Sequence, residues 1–164
     1  ITKWSASPDT TIMPAGQWDS LPPGAHPVGA DFAGVFTLLG YALEGDRATP
    51  GEEVKLTLYW ETGNADVATP SPARAGPLAA FVHLSAEEPG QIVAQYDGWE
   101  TALTGLEPGD LISQEIVLPL AGDLAPGAYT LRAGLYSPQT GQRLPLGGGG
   151  DMITLQPLDV SAAP

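Results

Sequence analysis

The sequence predicts an all-β protein: a two-sheet antiparallel β-sandwich, immunoglobulin-like or jelly-roll. Three observations lead there. Apolar and polar residues alternate with period two in several short runs, and no ten-residue stretch carries a helical pattern. The 21 glycines and 17 prolines sit between the apolar runs, as turns do in all-β chains. With 164 residues, 43% of them apolar, the chain is long enough for one domain with a proper core.

Taken in order, residues 1–30 are rich in Pro, Gly, Ser and Asp, with Trp4 and Trp18 as isolated aromatics. They are expected to form an irregular lead-in with one short strand near Thr10 to Met13, and residues 31–164 to form the sandwich. Phe32 to Glu44 is apolar enough for a strand or a bent pair of strands, with a bulge at Gly40. In "EVKLTLYWE", Val54, Leu56, Leu58 and Trp60 share one face, against Lys55, Thr57, Tyr59 and Glu61. "LAAFVHLS" and "QIVAQYD" follow, then "LISQEIVLPL", where Ile112, Ile116 and Leu118 share a face. "AYTLRAGLYS" sets Tyr129, Leu131, Ala133 and Leu135 against Thr130, Arg132, Gly134 and Tyr136, and "QRLPL" and "MITLQPLDV" close the chain. That makes seven or eight strands.

The same dipeptide introduces four of these segments: Pro50-Gly51, Pro89-Gly90, Pro108-Gly109 and Pro126-Gly127. Proline presets φ at the second position of a type II turn, and glycine accepts the positive φ at the third. Two longer connections, Thr62 to Pro77 and Gly147 to Gly150, have little to bury and are expected to be flexible.

Charge excludes several function classes. With 19 acids against 6 bases the formal charge is −13, which repels nucleic-acid phosphates and anionic membrane surfaces and favours solubility. The absence of cysteine removes disulfides, thiolate metal sites and cysteine nucleophiles. No apolar run reaches the ~20 residues that span a bilayer. The chain starts at Ile1 without Met, so it is expected to be a piece of something longer.

The stretch from Phe81 to Glu100 is the most suggestive of chemistry. A hairpin turning at Glu87 to Gly90 would bring His83 opposite Asp97, a pairing that orients an imidazole. No Gly-x-Ser-x-Gly elbow accompanies it, so the expectation is a partly buried histidine satisfied by a neighbour and no catalytic residue. Two histidines 57 positions apart make no zinc site. Calcium is the one ion weighed, on the loop-proximal acids Asp97, Glu100, Asp110, Asp123 and Asp151; no EF-hand loop is present and no cofactor or metal is expected. Sugars stack on exposed aromatics, for which Trp99, Tyr59, Tyr136 and Tyr96 are available, while Trp60 falls on a core face. The candidate ligand-binding residues are Trp99, Asp97, His83 and Tyr59.

The order of the pieces "FTLLGYALEGDRATPGEEVKLTLYWE", "FVHLSAEEPGQIVAQYDG" and "LAPGAYTLRAGLYSPQTGQRLPL" resembles a known domain. It is the β-sandwich found at the C-terminus of bacterial, Chloroflexi-type membrane proteins related to mannosyltransferases that use lipid-linked sugars. The markers are Leu39-Gly40-Tyr41, Leu58-Tyr59-Trp60, Phe81-Val82-His83-Leu84, Gln95 with Asp97, and Gly134-Leu135-Tyr136, within residues 26–155. The Thr62 to Pro77 loop stands as an insertion in that pattern. The resemblance implies a non-catalytic, extracytoplasmic accessory domain that binds or positions a glycan or protein acceptor, held at the membrane through a portion outside this chain. The alternative is a free-standing carbohydrate-binding or cell-surface adhesion module.

Overall fold

The computed structural model describes residues 10–13, 21–45, 47–63, 79–86, 91–97, 109–136 and 141–162. Every regular element among them is a strand. In chain order these are β1 (Thr10–Met13), β2 (His26–Phe32), β3 (Phe36–Leu43), β4 (Arg47–Ala48), β5 (Glu53–Thr62), β6 (Ala79–Ala86), β7 (Ile92–Asp97), β8 (Leu111–Pro119), β9 (Gly127–Tyr136) and β10 (Ile153–Val160). They form two five-stranded sheets, ordered β1-β8-β5-β3-β2 and β4-β10-β9-β6-β7. The all-β sandwich predicted from periodicity is the fold observed.

Period two places the core. Val54, Leu56, Leu58 and Trp60 of β5 pack with Ile112, Ile116 and Leu118 of β8 from the first sheet. Ala80, Val82 and Leu84 of β6 and Tyr129, Leu131, Ala133 and Leu135 of β9 meet them from the second. Trp60 is fully buried among them, as its face predicts, with Phe32 tilted against it at 5.7 Å between ring centroids. A second link between the sheets is polar: the Tyr41 hydroxyl donates to Leu155 O at 3.0 Å and lies 2.9 Å from Gln156 Oε1. Burial pushes that phenol up from its ordinary pKa. On the β7 side, Gln114 Nε2 of β8 reaches the Tyr96 hydroxyl at 3.4 Å, so the second sheet curls towards the first.

Part of the strand order matches the immunoglobulin arrangement. β5 and β8 lie side by side in one sheet while β6, β9 and β10 lie in the other, the distribution of strands B and E against C, F and G. Tyr129, at the start of β9, donates its hydroxyl to Ala125 O four residues upstream at 2.6 Å, the tyrosine corner of that fold.

The first sheet is antiparallel throughout, but the second is mixed, which corrects the expectation of two antiparallel sheets. β4 pairs with β10 in parallel, Arg47 with Asp159 and Ala48 with Val160. The reason is a sheet switch. Thr49 to Glu52 forms a turn, with Glu52 N bonded to Thr49 O at 3.1 Å and Gly51 at φ +85°, and the chain crosses to β5 of the other sheet. The residues before the crossing border the last strand and run alongside it. Pro50-Gly51 is thus the type II turn its chemistry predicts. Gly109 also has positive φ, at +90°, whereas Gly127 sits at +155°, outside the type II range.

Two strands fall wholly or partly in the stretch expected as lead-in. β1 pairs with β8 along Thr10 to Met13, and β2 pairs with β3. Pro27 and Gly29, the latter at φ +74°, hide β2 from a strand pattern and suit it to a sheet edge, where the ladder is free to shift register between Pro27 and Ala30. The Phe32 to Glu44 run holds a single strand, β3, preceded by the last residue of β2 and a turn at Ala33 and Gly34, both at positive φ. The bulge expected at Gly40 falls between Leu38 and Gly40.

"QRLPL" is not a ladder strand but a strap between the sheets. Arg143 makes an isolated bridge to Tyr136 of β9, and Leu146 one to Phe32 of β2. The glycine run that follows, expected as a flexible connection, closes a hydrogen-bonded turn: Leu146 N to Gly150 O at 2.9 Å and Gly149 N to Leu146 O at 3.1 Å. Most of the Thr62 to Pro77 loop lies outside the described residues.

Candidate functional site

The strongest candidate lies on the outer face of the second sheet, built by the strands that carry His83. β6 presents Ala80, Val82 and Leu84 to the core, so Ala79, Phe81, His83 and Ser85 face away from it, yet all four are buried. His83 has Gln95 of β7 opposite on one side and Arg132 of β9 on the other. Asp97 therefore lies diagonal to His83; its direct partner is Phe81. The expectation that His83 and Asp97 face each other is corrected by one pairing step. The shared face of the hairpin still brings them together.

Phe81 sits at the centre of this face because its neighbour across β9 is Gly134. A Cβ on Gly134 would collide with the Phe81 ring and stand 2.9 Å from Asp151 O, so only glycine leaves the ring room to lie across the strand. Three side chains crowd that ring. His83 is tilted against it at 4.7 Å, Tyr136 at 6.1 Å, and the Arg143 guanidinium stands 4.7 Å over its centroid. Arg143 comes from the strap and is held by its bridge to Tyr136 and by Asp151, 3.5 Å from the Asp151 carboxylate.

Together Phe81, His83, Asp97, Tyr136, Gly141 and Arg143 line a depression of about 400 Å³. Burial first, and the Arg143 guanidinium second, hold the His83 imidazole below its usual range, against a smaller upward pull from Asp97. At neutral pH His83 is an uncharged donor and acceptor. Burial and then the Asp97 charge push the Tyr136 phenol up, so it too is neutral. Asp97 is exposed and accepts a hydrogen bond from Gln95 Nε2 at 3.1 Å.

The other candidate residues fare differently. Tyr59 is buried on the outer face of the first sheet, opposite Gly40 and Ser113, with its phenol raised by burial and by Glu115. The core separates it from His83 and Asp97, so the proposed quartet does not form one site. Trp99 and Glu100 lie outside the described residues, as do Glu87 to Gly90. The sequence offers Tyr136 as an available aromatic and Phe81 and Tyr136 as markers of the resemblance, but assigns neither of them, nor Arg143, to a binding site. The signal available in the sequence is the continuous apolar run Leu78 to Val82 leading into His83, since alternation fails where both faces are covered.

Among the described residues, no three His, Asp or Glu side chains cluster closely enough to hold a metal ion. A second depression of about 410 Å³ lies on the outer face of the first sheet, lined by Ala42, Glu44, Lys55, Thr57, Glu115 and Val117 among others. Among its described lining residues there is no aromatic ring and no buried polar group.

No protein-family model matches the chain, and no curated protein matches it. The molecule itself is a two-sheet β-sandwich with a polar, aromatic-walled depression over β6.

Proposed function

We propose that this chain is a non-catalytic, extracytoplasmic accessory domain of a glycosyltransferase-like membrane protein, where it binds or positions a glycan or protein acceptor. The observation that carries the reading is the depression over β6. It gathers the acceptor Asp97, the donor Arg143, the neutral His83 and the aromatic Tyr136, a recognition set. Among its described lining residues no serine, threonine or cysteine stands beside His83 to serve as a nucleophile. The acidic surface supports a role away from nucleic acid.

Two measurements test the reading. In cells that carry the protein, protease added outside is expected to cleave this domain while it fractionates with membranes. Protection of the domain in intact cells overturns the extracytoplasmic placement, and a soluble secreted pool in place of a membrane-bound one favours a free-standing adhesion or carbohydrate-binding module. A glycan array with and without calcium, using Trp99→Ala and Tyr136→Ala, then asks whether the domain contacts sugar and through which aromatic.

A further inference from the structure

We propose that the depression over β6 is a subsite for one neutral pyranose unit, with Asp97, Gln95 and Arg143 engaging its hydroxyls and Tyr136 flanking its apolar face. The inference rests on the accessory-domain reading only for the availability of a glycan, and the chemistry comes from the site.

Charge narrows the ligand first. Among the described lining residues Arg143 is the one cation, already opposed by Asp151, and Asp97 the one carboxylate, with Arg132 beside His83 on β9 as a second positive charge nearby. A strongly anionic ligand would meet Asp97 at close range and the field of a −13 chain at long range. A cationic ligand has a stronger claim, because Phe81, His83, Tyr136 and Asp97 together resemble an aromatic cage. That cage is occupied: the Arg143 guanidinium stands 4.7 Å over the Phe81 ring.

Hydrogen-bonding capacity points the same way. Asp97 only accepts and Arg143 only donates, whereas Gln95, His83 and Tyr136 do both. A ligand serving that mixture must donate and accept from adjacent atoms, which is the property of neighbouring hydroxyl groups. With the Phe81 face taken by Arg143, the ring left to meet the CH face of a sugar is Tyr136, which is half-buried. The volume of about 400 Å³ falls at the small end of ligand pockets, so weak, roughly millimolar binding is expected.

The test is a ¹H–¹⁵N NMR titration of the intact chain with methyl glycosides of mannose, glucose and galactose, with glucuronic acid and choline as charged probes. The expected result is saturable shifts from a neutral glycoside, centred on Phe81, His83, Asp97, Gly141 and Arg143. Asp97→Asn and Tyr136→Ala are each expected to weaken binding by about tenfold, and Val117→Thr on the opposite sheet to leave it unchanged. Asp97 is exposed, so its variant tests the site even if a Tyr136 variant misfolds. Shifts mapping elsewhere would overturn the subsite and leave the glycan-binding reading standing. Tighter binding of glucuronic acid or choline than of every neutral glycoside would overturn the ligand class. No shift with any glycoside up to its solubility limit would overturn the proposal, while the protease test decides separately whether the domain faces the outside.

Discussion

β5 and β6 are consecutive strands and each lies in the interior of its sheet, yet they are buried in different ways. β5 begins with the alternation of a strand with one wet face: Glu53 and Lys55 exposed, Val54 and Leu56 buried. β6 is buried at every residue from Ala79 to Ser85. The first sheet turns an ordinary polar surface outward, with Val117 left 42% exposed. The second carries on its outside the arginine that the strap delivers, Arg143 over the Phe81 ring. An outer face that is core-like at its floor and polar at its rim is where a recognition site is found.

That contrast can be broken most decisively by Phe81→Ala. If the outer face of β6 is packed as tightly as a core, the substitution costs about 3 kcal/mol in urea denaturation. Val117→Thr, on the outer face of the first sheet, is expected to stay within about 0.5 kcal/mol. Similar values for the two would abolish the distinction. Gly134→Ala attacks the same packing from the strand below: the new methyl group must displace the Phe81 ring and press on Asp151 O, for an expected loss of about 1–3 kcal/mol. Tyr129→Phe removes the corner hydrogen bond to Ala125 O, and about 1 kcal/mol is expected to go with it.

The smallest effects come from the rim. Arg143→Gln loses a half-exposed ion pair and a cation–π contact, together about 0.5–1 kcal/mol, and salt is expected to shrink the difference. Protonation sharpens the picture further. His83 is surrounded by Arg143 on the strap, Arg132 on β9, and Gln95 and Asp97 on β7. Its folded pKa lies below the unfolded value of about 6.5, so the unfolded chain takes the proton first as pH falls. Its contribution is intact above about pH 6.5 and is lost progressively as pH falls through the folded pKa. His83→Gln is expected to flatten that part of the stability–pH curve, and an unchanged slope would place the titration elsewhere.

Much of this was legible in the sequence, and the reason is local. The inner faces of β5, β8 and β9 follow from alternation alone, and the Thr49 to Glu52 turn follows from Pro50-Gly51. β2 was missed because Pro27 and Gly29 break a strand pattern at a sheet edge, and β4 because two residues carry no pattern at all. The site was half legible. His83 and Asp97 share a hairpin, so their proximity is written within fifteen residues. Arg143 reaches Phe81 only because the strap folds back across β9, which no local spacing encodes. Tyr59 failed as a partner for a simpler reason: strand parity gave it an outward face without saying outward from which sheet.

The pairing of Arg47 and Ala48 with Asp159 and Val160 has a kinetic consequence. Contacts between residues more than a hundred positions apart reward the chain only after the intervening segments have closed, and that entropy is lost before the bonds form. During synthesis β6 emerges long before β9 can cover its flank, and the edge beside β4 waits for β10. Refolding on the millisecond-to-second scale typical of sandwiches is expected, with the β6–β7 and β2–β3 hairpins forming first and the β4–β10 edge zipping shut at the end.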